Sequence, residues 1–505
     1  MSPESKRSAR VRAAAEPGTP AATRRALLGL GVPVYGELLS GVVAGIIDTL
    51  WVARLGEAAV GAVAVASTLE NVLLGVILMA GTGATMLMAD ALGAGRRGEV
   101  PVVVRAVAVL WLVITPVVTV GGFLLRDRVA TLLVGGGEGE VHRLAVAFFA
   151  VSFPGMAVFF AQNVVDGLIK GTGDTRTPMR MALLANGIVL VLDPLLIHGV
   201  GPLPRLGVQG AAFATSAGRA VALAVSLVLL RRVLGRVPGQ RAATGPRVAT
   251  VLRSVLRVGL PVSGDFVLRM GMSAALVGIV ARFGAGPLAA YGVGSKVMLL
   301  VTMACYAFRQ AAAILTARTR GAGRSTVWLI GRQALLLATT AAFGAGLLLA
   351  LGGRRVTRLF TAEPAAVDAG AVFFRCLLPC LVLLAGVVAL GGVFMGAGRS
   401  RALLAVTAFG ACVQLPLAYG LSLTALGVRG VWLSMSLGAG AQYAVTWVLF
   451  RRLTGAGAPC EGGAGGARGA GAAGESGRRG GTGAAEESGR RGGTGAGEAV
   501  DVHKW

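Results

Sequence analysis

Several acids and amides stand inside runs that are otherwise apolar, and their spacing suits the capture and release of a small cation at membrane depth. Glu37 and Asp48 are eleven residues apart, close to three helical turns, so on a helix they share one face. Asn186 and Asp193 share a face in the same way. A carboxylate in hydrocarbon costs about 2.5–3.5 kcal/mol on insertion scales unless it is protonated, paired or facing water. If the two faces converge, apolar walls and a neighbouring carboxylate both favour protonation near neutral pH, as a proton-coupled site requires. The plain alternative is an acid at a helix end, simply solvated, and it weighs most on Glu37.

Other polar positions have sober readings beside functional ones. Asp265 is followed four residues later by Arg269, so a neutralising pair within the helix is the default, with a substrate or ion contact as the alternative. Lys296 could be its partner instead, or could snorkel to the interface. Gln162 and Asp166 are also four apart, and Lys170 one turn on points to a solvated or ion-paired helix end. Gln162 and Asp265 remain candidates for a substrate cavity, together with Met79 and Met298, whose thioethers adapt to varied ligands, although packing explains methionines equally well. Gly171, Gly173 and Asp174 form a turn; no GxxxxGK[ST] phosphate loop is present, so ATP is not expected as the energy source. No cofactor is implied. Cys376 and Cys380 sit one turn apart without a nearby histidine or acid, and read as small packing residues rather than metal ligands.

The elements that must position these groups are membrane helices. Of 505 residues 55% are hydrophobic and 14% charged, against roughly 25% charged in a soluble domain, and the mean hydropathy is +0.74. A water-soluble globule is excluded. Punctuation by Gly, Pro and Arg divides the chain into twelve candidate spans near 27–52, 60–92, 101–125, 142–169, 177–199, 207–234, 255–282, 287–317, 326–351, 369–395, 402–424 and 428–450. The fold class is therefore all-α and polytopic. The net charge of +25 resides mostly in short loops, where it sets orientation and meets anionic lipid; it calls for no nucleic acid. Arg96, Arg97, Lys170, Arg399 and Arg401 fall in loops on the side of both tails, which predicts cytoplasmic termini in the cell membrane. The first 25 residues are basic and contain Pro17 and Pro20 with no apolar core, and read as a tail rather than a signal peptide.

An internal repeat organises these spans. Val52-Ala-Arg-Leu-Gly56 matches Val280-Ala-Arg-Phe-Gly284, with Gly31, Pro33 and Glu37 upstream falling on Gly259, Pro261 and Asp265. Further on, Gly171-Thr-Gly173 matches Gly396-Ala-Gly398, and Leu206-Gly-Val-Gln-Gly210 matches Leu426-Gly-Val-Arg-Gly430. Six helices per half is an even number, so the halves enter the membrane in the same sense and are related by a pseudo-two-fold axis along its normal. The expected divisions are a basic tail (1–26), an N-lobe (27–234), a linker (235–250), a C-lobe (251–452) and a Gly-rich tail (453–505) in which ESGRRGGTGA occurs twice, a composition that predicts disorder. Asp48 falls on Leu276 and Asp193 near Ala418, so the acid chemistry is expected in one lobe alone.

The runs Ile47-Asp-Thr-Leu-Trp-Val-Ala-Arg-Leu-Gly56, Gly171-Thr-Gly-Asp-Thr-Arg-Thr-Pro178, Leu192-Asp-Pro-Leu-Leu-Ile197 and Gly207-Val-Gln-Gly-Ala-Ala-Phe-Ala-Thr215 resemble the signature segments of the multidrug and toxic compound extrusion (MATE) family. The resemblance covers about 25–452. It implies a V-shaped pair of six-helix lobes, alternating access, and export of amphipathic organic cations in exchange for protons or sodium ions, by a chain that works as a monomer among membrane lipids. Asp48 and Asp193 match the N-lobe acids of the DinF-like branch. Where that branch often has asparagine one turn before the second acid, this chain has Val189, with Asn186 a further turn away. Asp90 and Arg219 stand where the family often has glutamine, and local packing or ion pairing accounts for them. Two other functions would leave different marks in the sequence. A flippase for lipid-linked cargo would favour extra helices and a strongly cationic cavity, and a membrane transferase would need paired aspartates in a loop or a His and acid pair. With His142, His198 and His503 as its histidines, the chain is not expected to be an enzyme.

Overall fold

The computed structural model describes residues 18–135, 139–199, 205–235, 246–324, 326–358 and 364–455. Thr19 starts the first helix: its hydroxyl accepts from the Ala22 N–H (3.3 Å) and Pro20 stands in the first turn, where its missing N–H costs nothing. The helices among the described residues are α1 (Pro20–Ala53), α2 (Glu57–Gly93), α3 (Val100–Val134), α4 (Glu140–Gly171), α5 (Arg176–His198), α6 (Val208–Gly235), α7 (Val248–Ala281), α8 (Ala285–Gly321), α9 (Val327–Arg358), α10 (Pro364–Gly396), α11 (Ser400–Ser422) and α12 (Val428–Gly455), with a short 3-10 turn at Arg97–Glu99. No strand occurs among the described residues. Among the described residues, eleven helices are long and apolar enough to cross a bilayer. The twelfth, α12, is as long as α6 but is diluted by Ser434, Ser436, Gly438, Gly440 and Gln442 on faces that pack against its neighbours.

The repeat seen in the sequence is a repeat of turns and of packing. Gly56 (φ 109°) and Gly284 (φ 94°) end the matched VARLG and VARFG segments in a backbone conformation that a side chain would strain, and Gly173 (φ 87°) and Gly398 (φ 75°) do the same for the second match. Helix-interior prolines recur too: Pro33 in α1 and Pro261 in α7, Pro154 in α4 and Pro379 in α10, Pro194 in α5 and Pro416 in α11. The last pair sets Asp193 opposite Leu415, three residues short of the expected Ala418.

Packing follows the same rule. In the N-terminal half α2 packs on α4, α3 on α4, α4 on α6, α5 on α6 and α1 on α5; in the C-terminal half α8 packs on α10, α9 on α10, α10 on α12, α11 on α12 and α7 on α11. The halves join through α2 with α7, α1 with α8, and α2 with α8; the pseudo-two-fold exchanges the first two pairings and maps the third onto itself. Outward faces are apolar, as a lipid-facing surface must be: Val117 and Leu124 on α3 are 70% and 71% exposed, and Leu348 and Leu351 on α9 are 73% and 80% exposed. The linker expected at 235–250 lies largely, and the Gly-rich tail almost wholly, outside the described residues. The C-terminal lobe extends to Gly455, slightly past the expected 452.

Candidate functional site

α1 and α5 cross with their polar residues facing each other. Near the end of α1 the Asp48 carboxylate comes within hydrogen-bonding reach of the Asp193 carboxylate of α5. Asp193 is 1% exposed, and neither of its oxygens has a donor among the described residues. Two turns back along α5, Asn186 donates to the Ser40 hydroxyl of α1 (3.0 Å). The two faces thus converge, but Glu37 takes no part in the contact: its carboxylate accepts from Lys170 Nζ on α4 (2.7 Å). Beside that ion pair, the Gln162 amide donates to both Asp166 oxygens (2.9 and 3.0 Å) and to the Ser226 hydroxyl (3.3 Å). Asp166 is therefore half-buried and bonded within its own helix instead of solvated at the helix end.

Asp48 also borders a cavity inside the N-terminal half, together with Glu70 and Ser67 of α2, Ser152 of α4, and Ser216 and Arg219 of α6. Ser152 donates to Glu70. The Arg219 guanidinium lies over the ring of Phe159, 3.8 Å from its centre. None of Gln162, Asp265, Met79 or Met298 borders this cavity. Met79 is buried where its carbonyl meets Gly259 of α7, and Met298 packs against the apolar core around Phe373 and Trp432.

The C-terminal half holds its acid differently. Asp265 of α7 is 2% exposed and accepts from Arg269 Nε (3.1 Å), Arg309 Nη1 of α8 (3.3 Å) and the Thr407 hydroxyl of α11. Arg269 donates in turn to Thr407 (3.0 Å). The expected pair with Arg269 is present; Lys296 is exposed and makes no ion pair with Asp265, whose second base is Arg309. Glu37 and Asp265, equivalent in the repeat, are thus both tied to basic groups, whereas neither Asp48 nor Asp193 makes an ion pair among the described residues.

Sequence reasoning passed over Glu70 and Arg309. Both were visible as charges within apolar runs, which is signal enough to demand a partner. Asp90, near the end of α2, accepts from Arg96 (2.8 Å) and from two nitrogens of Arg320 on α8 (3.1 and 2.9 Å), the local ion pairing expected of it, here reaching across the halves.

A family model described as MatE matches residues 33–195 and 261–420, one segment in each half. The chain is 27% identical over 420 residues to a probable multidrug resistance protein, NorM, of Thermotoga maritima, covering 82% of this chain and 89% of that one. It is 25% identical over 365 residues to an FAD transporter of Shewanella oneidensis, covering 70% and 78%. A solved transporter of the MOP superfamily from Pyrococcus furiosus has the same fold, with a TM-score of 0.77 at 24% identity over 88% of this chain and 98% of that one.

Proposed function

The chain belongs to the MatE family of multidrug efflux transporters, and from that premise we propose that it is an antiporter of the DinF-like branch, exporting amphipathic organic cations as protons enter. The observation that carries this reading is the Asp48–Asp193 pair: two carboxylates on different helices within hydrogen-bonding reach, in the half of the molecule that holds the polar cavity. Carboxylates so placed require a proton or a cation between them. A proton needs only the two oxygens. A sodium ion seeks a fuller oxygen shell, and the side chain one turn before Asp193 is the buried, apolar Val189, which adds no ligand.

Exchange needs differential binding, because a cation that favoured neither access state could drive nothing. The pair supplies it. Deprotonated, Asp48 and Asp193 repel each other and attract a cationic substrate into the adjoining cavity; protonated, they hold α1 against α5 and release it. Glu37 and Asn186 support the pair by fixing α1 to α4 and α5. One chain contains both bundles and the complete site, so a monomer suffices. The basic loops at the end that carries both tails favour cytoplasmic termini in the cell membrane. The test is dye transport into the lumen of inverted vesicles, the equivalent of efflux from the cell, under an imposed pH gradient or an imposed sodium gradient. Efflux driven by the pH gradient alone is expected; efflux driven only by sodium would replace the proton in this mechanism, and none under either gradient would refute antiport.

A further inference from the structure

Arg219 is a fixed cation in the wall of a cavity otherwise expected to receive cations. Its guanidinium rests on the Phe159 ring, which satisfies one face of the plane. Among the described residues no carboxylate lies within ion-pairing distance of it and none of its N–H groups has a hydrogen-bond partner, although Glu70 of the same cavity acts on it through space. A guanidinium carries five donors in a planar fork that fits a carboxylate or phosphate with two parallel hydrogen bonds. Holding such a group half-buried and unbonded is costly unless water or a ligand meets it.

The opposite charge sits farther along the same wall. Ser152 of α4 holds the Glu70 carboxylate, and Phe159, which carries Arg219, is seven residues on, a rise of about 10 Å on the same helix face. Between these levels α4 and α6 approach closely, since a Cβ on Gly155 would collide with the Ser216 hydroxyl. The cavity is therefore bipolar, acidic at Asp48 and Glu70 and basic at Arg219.

We propose that this cavity selects substrates that carry both charges, a cationic group for Asp48 and Glu70 and a carboxylate or other acid for Arg219. The inference rests on the exporter reading and narrows its substrate class from organic cations to amphipathic zwitterions.

Rhodamine B, a zwitterion with a free carboxylate, and rhodamine B ethyl ester, a monocation of the same frame, form a matched pair of probes. Binding to the purified full-length protein, followed by fluorescence anisotropy without any gradient, should favour rhodamine B by about tenfold. Arg219→Gln should erase or invert that ratio, and Arg219→Lys should restore part of it. Equal wild-type affinities, a preference for the ester, binding of neither dye, or an unchanged ratio in Arg219→Gln would each overturn the proposal, and the wild-type ratio decides even if a variant fails to fold. Gradient-driven efflux of the ester by a protein that shows no preference for rhodamine B would sink this inference and leave the exporter standing; preference without gradient-driven efflux would do the reverse.

Discussion

Gly93 of α2 and Gly321 of α8 are equivalent in the repeat, 228 residues apart, and each is packed against the other's helix: a Cβ on Gly93 would strike the Arg318 carbonyl, and a Cβ on Gly321 would strike the Asp90 carbonyl. Asp90 and Arg318 are themselves 228 apart. The pseudo-two-fold axis therefore passes through this crossing, where the two bundles meet backbone to backbone and where Arg320 bonds Asp90 across the joint. Only glycine permits so close an approach.

A side chain at either glycine should hold the bundles apart at this end. Overpacking of such a joint costs about 1–3 kcal/mol. Gly93→Val and Gly321→Val should thus reduce efflux severalfold or more at normal membrane expression while lengthening the α2–α8 distance, read by double electron–electron resonance between spin labels near Arg96 and Arg320. Unchanged distances with full transport would show that the joint opens without penalty.

Asp48→Asn and Asp193→Asn should each abolish gradient-driven efflux, because each removes one of the oxygens that hold the exchanged proton. Transport and expression should be measured in the same vesicles. Full coupling in the double variant would place the cation site elsewhere.

Asp265→Asn should behave differently. It leaves Arg269 and Arg309 without their anion in a buried site, a change that costs about 3–5 kcal/mol. Thermal unfolding in detergent should fall markedly, and Arg309→Met in the Asp265→Asn background should recover part of the loss, since it removes one stranded cation. A stable Asp265→Asn protein that has lost only its proton coupling would move the exchange chemistry into the C-terminal half.

The helices and their repeat were legible because apolar runs and turn glycines are local signals. Their ends were less so: α7 starts at Val248 instead of 255 and α10 at Pro364 instead of 369, since hydrophobicity stops at the bilayer surface whereas backbone hydrogen bonding continues into polar residues. At the site, spacing placed Glu37 with Asp48, and Asn186 with Asp193, on one face of each helix, while the meeting of α1 and α5 is made by packing. The partners of Glu37 and Asp265 were not legible either, because Lys170 and Arg309 belong to neighbouring helices, 133 and 44 residues away, and the choice between an intrahelical and an interhelical partner is made by packing.

Orientation can be checked separately. Single cysteines at Arg97 and Arg401, both exposed, should be shielded from an impermeant thiol reagent in intact cells that express a variant lacking the native cysteines, whereas cysteines at Arg128 and Arg358 should label. The opposite pattern would invert the protein in the membrane.

The unpaired guanidinium of Arg219 has an electrical consequence. A substrate that satisfies both Arg219 and the acids carries no net charge, so its exit against an entering proton moves one positive charge inward per cycle, whereas exit of a simple cation against one proton moves none. The membrane potential then works beside the pH gradient, adding about 2.3 kcal/mol for each charge per 100 mV. Under the proposed proton exchange, such cargo makes the transporter a current source, and an energised membrane would concentrate it outside even where the two compartments have the same pH.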